Sequence, residues 1–186
     1  MKRIFVVTGL GLLPASCASE QAQSPAPAFV QEATLLADTY QANLQAELSA
    51  AIKQVGPVGA IGVCQSVAPA IAADLSRNGD LAVSRIARRN RNPDNAVPAE
   101  LDALYQQLER EPLRDGKPHV VTATIGEREV FMRALPMKDQ PCSQCHGTSI
   151  APDVKAAIDA RYPDDRATGF AVGDLRGAML VTRAVR

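Results

Sequence analysis

The sequence predicts an α+β domain built on an antiparallel sheet, and three observations carry that reading. Apolar residues recur at three- and four-residue steps through the first third of the chain, as an amphipathic helix requires. Short alternating segments separated by Gly- and Asp-containing turns follow, as strands joined by tight turns do. Helices therefore come first and strands come mostly in succession, an order that favours helices packed on an antiparallel sheet over a parallel βαβ arrangement.

The start of the chain reads as an address. Lys2 and Arg3 precede an apolar run over residues 4–13, of signal-peptide length but too short to span a bilayer as a mature helix. Pro14-Ala15-Ser16-Cys17 follows, small residues before a cysteine as at lipoprotein processing sites, which makes Cys17 the candidate lipid-bearing residue. Ordinary cleavage near Ala18 is the alternative, and it leaves a soluble periplasmic protein. Residues 1–18 are assigned to the signal peptide, residues 19–28, rich in Ser, Ala, Gln and Pro, to a flexible tether, and residues 29–186 to the folded domain.

Over residues 30–55, Ala33, Leu36, Tyr40, Leu44, Leu48, Ala51 and Val55 form the apolar stripe of a long helix, which Gly56-Pro57 ends. A second helix over residues 57–75 starts with Pro57 in its first turn and aligns Ile61, Cys64, Ala68, Ile71 and Leu75, so that Cys64 points inward. Pro69 lacks the amide proton that the Gln65 carbonyl would receive, which predicts a kink just after Cys64. Asn78-Gly79-Asp80 is a turn, residues 81–87 a strand, residues 88–98 irregular, and residues 101–108 a short helix with acidic residues near its start. Residues 119–125 alternate, and residues 128–135 resume after Gly126-Glu127 as the hairpin partner. A last strand, residues 178–184, follows the turn at residues 173–177.

At 186 residues the chain can bury a core without disulfides. Lys plus Arg and Asp plus Glu are balanced at 20 each, so no global field recruits nucleic acid, and that partner class is set aside.

Cys142-Ser143-Gln144-Cys145-His146 carries the chemistry. C-x-x-C-H is the attachment sequence of c-type haem: the two thiols each add to one vinyl group of the porphyrin, and the adjacent imidazole is held beneath the iron. A C-x-x-C disulfide oxidoreductase would need a βαβ context. A zinc site would need a further ligand, for which Cys64 or His119 is available. With Cys17 lipidated and Cys142 and Cys145 on haem, Cys64 is left unpaired in an oxidising compartment. It is either a small buried residue or the iron ligand opposite His146. His119, Met132, Met137 and Met179 are the other candidates for that position, Met137 lying awkwardly close to Cys142 in sequence. Arg85, Arg88, Arg89 and Arg91 are either contacts for the haem propionates or a solvated basic loop. Asp174 and Arg176 read as a local pair across a turn.

Gly62-Val63-Cys64-Gln65-Ser66-Val67-Ala68-Pro69, Arg91-Asn92-Pro93-Asp94-Asn95, Cys142 to Gly147, Tyr162-Pro163-Asp164-Asp165 and Gly173-Asp174-Leu175-Arg176-Gly177 resemble, in this order, a family of bacterial and cyanobacterial exported mono-haem c domains first described as a domain of unknown function. The resemblance implies a PAS-like fold, an antiparallel sheet flanked by helices, and Cys/His axial ligation, with Cys64 and His146 at the matching positions. A thiolate ligand depresses the reduction potential and leaves no open site for catalysis. The expectation is a low-potential redox or gas sensor responding to CO or NO, with a low-potential electron-transfer cytochrome c as alternative. It is not an enzyme beyond weak peroxidase-like activity on ligand loss. Its partners are an exported redox or signalling protein and, through the lipid, the membrane.

Overall fold

The computed structural model describes residues 24–77 and 79–185. The leader, the candidate lipid site Cys17 and the first part of the tether lie outside the described residues. Helix α1, Pro27–Gly62, begins with Pro in its first turn, where the missing amide costs nothing. Phe29, Ala33, Ala37, Tyr40 and Leu44 are its buried stripe, spaced as one helical face. The stripe turns outward beyond Leu44: Val55, expected to continue it, is 61% exposed. Gly56 breaks the helix at φ 70°, ψ 175°, a left-handed backbone that glycine tolerates, and Pro57 restarts it.

The expected kink takes the form of a π-helical turn, Val63–Val67. The Ala68 amide donates to the Val63 carbonyl five residues back, and Pro69, with no amide, cannot restore the regular ladder. Helix α2, Ala68–Arg77, then leads to strand β1, Ala82–Ile86. Two 3-10 turns follow, Pro93–Asn95 within the irregular segment and Ala99–Leu101 just after it. Helix α3, Asp102–Arg110, is followed by a two-stranded ribbon, β2 (Leu113–Arg114) and β3 (Lys117–Pro118), which the sequence did not announce. The hairpin of β4 (Val120–Ile125) and β5 (Arg128–Pro136) comes next. Helices α4 (Ser143–His146) and α5 (Pro152–Arg161) and strand β6 (Leu175–Ala184) complete the chain.

The main sheet runs β1-β6-β5-β4, every neighbouring pair antiparallel. On one face, Phe29, Ala33, Ala37 and Tyr40 of α1 pack against Val83, Phe131, Met179 and Val181. On the other, Leu101, Tyr105 and Leu108 pack against Val121, Val130, Met132 and Leu180. Each large apolar side chain so buried contributes roughly 1.5–3 kcal/mol. The α1 face stays open beyond Leu44, where the C-x-x-C-H segment, α5 and the π-helical turn meet.

Candidate cofactor site

His146 ends the short helix α4, and its imidazole is oriented from behind: Nδ1 lies 2.6 Å from the Ala167 carbonyl. A carbonyl only accepts, so Nδ1 carries the proton and the Nε2 lone pair faces the cleft. Burial, then the nearby Arg176 and Arg91 guanidiniums, holds the imidazole well below its usual pKa, and the ring is neutral. Gly147 is required behind it, because a Cβ there would stand 2.6 Å from the Ser143 carbonyl oxygen. The Phe170 amide donates to the His146 carbonyl at 3.0 Å and clamps the segment to the following loop.

Arg91 fixes the same loop from below. It forms a buried two-point pair with Asp165, Nε–Oδ1 3.0 Å and Nη2–Oδ2 3.3 Å, and Nη2 donates to the Cys145 carbonyl at 2.7 Å. Asp165 Oδ1 also accepts from the Ala167 amide at 3.0 Å. The ion pair therefore holds the residue that holds His146. Burial raises the Cys145 pKa and Arg91 lowers it less, so Cys145 is a thiol. Cys64, Cys142 and Cys145 are all free.

Cys64, His146, Arg85, Arg91, Arg176 and Tyr40 all line a cleft of two adjoining lobes. The two are of similar size, and the first encloses about 1060 Å³ with its open mouth included. This lobe is apolar, lined by Leu44, Leu48, Ile52, Met137 and both motif cysteines. The other is the more polar, lined among others by Ser84, Asn90, Asn92, Asp94 and Asn95. The Tyr40 hydroxyl, beside Arg85, donates to the Ala68 carbonyl at 3.3 Å and ties α1 to the turn that carries Cys64.

Arg176 enters by an irregularity of the sheet. Leu135 pairs with Gly177 but Pro136 pairs with Leu175, so Arg176 is the extra residue of a β-bulge, a device that re-aims a side chain. Its Nη2 lies 3.2 Å from His146 Nε2. Burial, with Arg85's like charge second, lowers the guanidinium to about 9.

This geometry has a counterpart among known proteins, since residues 16–183 match the Tll0287-like family. The chain belongs to the Tll0287-like family. A solved structure, that of the cyanobacterial heme-protein Tll0287, is similar with a TM-score of 0.65 and 25% sequence identity, over 86% of this chain and 97% of that one. No match is found among curated proteins. The resemblance seen in the motifs is thus to a heme-protein family, and the α+β architecture with its long N-terminal helix accompanies it.

In this Tll0287-like chain the cleft gathers Cys142, Cys145, His146, Cys64, Arg85 and Arg91, and leaves Arg88, Arg89, His119 and Met132 out of its lining. Arg88 faces solvent, paired with Asp102 at 2.7 Å and Glu109 at 2.8 Å, because its strand has ended and α3 draws it away. His119 is buried elsewhere, with Nδ1 2.8 Å from the Glu111 carbonyl, a core histidine satisfied by the chain eight residues back. Met132 packs on the far face of the sheet, while Met137 and Met179 line the apolar lobe. Arg89 lies over the Phe170 ring at 3.7 Å and donates to the Thr168 carbonyl, bracing the loop. Asp174 accepts from the Ala171 amide at 2.8 Å and does not pair with Arg176, which corrects the local-pair reading. Among the described residues no three His, Cys, Asp or Glu side chains converge on a metal-ion position.

Proposed function

We propose that the chain is an exported c-type haem protein of PAS-like fold, carrying one covalent haem on Cys142 and Cys145 with His146 and Cys64 as axial ligands. One observation carries this reading: a single cleft has the two thiols in its apolar lobe, amide side chains in its polar lobe, and, lining both, three guanidiniums and a neutral imidazole whose Nε2 lone pair faces the cleft. A porphyrin has the same division, with vinyl groups on one edge and carboxylates on the other. Each thiol adds across one vinyl double bond, sulfur to one carbon and hydrogen to the other, so attachment needs no oxidant. Ala167 orients His146 and strengthens it as a donor, and Tyr40 steadies the turn bearing Cys64.

Bound there, the iron would supply one-electron redox chemistry and, after loss of a ligand, a position for CO or NO. The Cys64 thiolate favours the ferric state and so a low potential. Release of Cys64 on reduction or protonation would free the helix that bears it, which would be the basis of a redox or gas sensor. The open mouth of the apolar lobe favours a second reading, low-potential electron transfer to an exported partner. Peroxidase-like turnover would first require Cys64 to leave, so the chain is not read as an enzyme. It belongs to the periplasm, membrane-anchored through lipid on Cys17 or, if cleaved near Ala18, soluble.

Expression with a c-type maturation system, followed by a haem-stained denaturing gel and mass spectrometry, tests the reading. One haem per mature chain is expected, and an unmodified chain would refute it. A potentiometric titration with CO then separates the roles: ligand exchange on reduction indicates sensing, retained six-coordination indicates transfer.

A further inference from the structure

The cleft carries positive charge that its lining matches only in part: Arg85, Arg91 and Arg176 line both lobes, against the carboxylate of Asp94 in the polar one. Arg91 is neutralised by Asp165, but among the described residues neither Arg85 nor Arg176 forms an ion pair with a carboxylate. Arg85 Nε is buried with no hydrogen-bond partner. Arg176 rests on His146 Nε2, a neutral acceptor whose lone pair is the one an iron ligand would use. Burying cations without counter-charge is costly, and here it coincides with a β-bulge that turns Arg176 into the cleft.

The geometry points to Arg176 and Arg85 as the pair that receives the two carboxylates of the tetrapyrrole, with Arg176 leaving His146 Nε2 to do so. This rests on the haem reading above and completes its charge balance: two unmatched guanidiniums meet two carboxylates in charge-assisted, two-point hydrogen bonds. Of the arginines expected from sequence, Arg88 is spent on Asp102 and Glu109, and Arg91 on Asp165 and the Cys145 carbonyl. Arg176 is therefore a positioning residue that fixes which way round the macrocycle lies.

The test uses the full chain matured with haem, comparing wild type with Arg176→Gln, Arg176→Lys and Arg85→Gln. Haem per chain is read by mass spectrometry and the midpoint potential by redox titration. Arg176→Gln is expected to load several-fold less haem and to titrate at lower potential, because an uncompensated carboxylate favours the ferric state. Arg85→Gln shifts the potential in the same direction, and Arg176→Lys, which keeps the charge, recovers both loading and potential in large part. Gln and Lys variants that load and titrate like wild type would overturn the assignment, as would a Lys variant that fails as completely as Gln. An unloaded wild-type chain would instead defeat the haem reading itself.

Discussion

Replacing Arg91 with methionine should cost more than any substitution of comparable size on the surface. The guanidinium and the Asp165 carboxylate are only 7% and 5% exposed, and two hydrogen bonds, at 3.0 and 3.3 Å, join them. Removing one partner of such a buried pair leaves the other charge stranded, at about 3–5 kcal/mol. Set against a total stability of roughly 5–15 kcal/mol for a domain, that loss is readable as a large fall in the urea midpoint of the matured protein. The lost donor to the Cys145 carbonyl acts in the same direction. Arg91→Met combined with Asp165→Leu removes both charges, so the double variant should be clearly more stable than the sum of the single losses predicts. Two results would refute the reasoning: an Arg91→Met protein within about 0.5 kcal/mol of wild type, the scatter of ordinary surface changes, or strict additivity in the double variant.

Cys64→Ala should shift the ferric Soret band and raise the midpoint potential, and an unchanged spectrum would remove Cys64 from the coordination sphere. Tyr105, on the buried face of α3, has its hydroxyl pushed up to about 12 by burial. The unfolded chain loses that proton first as pH rises through about 10, so the stability it contributes at lower pH, about 3 kcal/mol for a two-unit shift, is lost between pH ~10 and ~12. Urea midpoints of wild type should therefore fall more steeply over this range than those of Tyr105→Phe, and parallel curves would contradict the assignment.

Strands and hairpins were legible wherever the period-two pattern and the turn residues agreed, as at Val121, Ala123 and Ile125 before Gly126. The break at Gly56-Pro57 and the disturbance near Pro69 were legible because a proline without an amide has few alternatives. Helix α5 was not, since only Val154 and Ile158 on it are buried and so small an apolar stripe leaves no periodicity to see. Pro152 and Asp153 at its start were the available signal. At the site, the C-x-x-C-H segment announced itself, whereas the partners that decide the arginines did not. Arg91 meets an Asp 74 positions away, and Arg176 reaches the cleft only because strand register slips beside it. A local sequence window contains neither fact.

The π-helical turn holds one residue more than an ordinary turn can accommodate, and such a surplus can be passed along a helix or squeezed out of it. Squeezing it out would screw everything beyond it around by about 100° and along by about 1.5 Å. The far end of that screw is gripped at Ser76, whose hydroxyl accepts the Val83 amide of the outer strand at 3.0 Å. A displacement of Cys64 is thus geared to torque on the margin of the sheet, the same outer strand that carries Arg85 into the cleft.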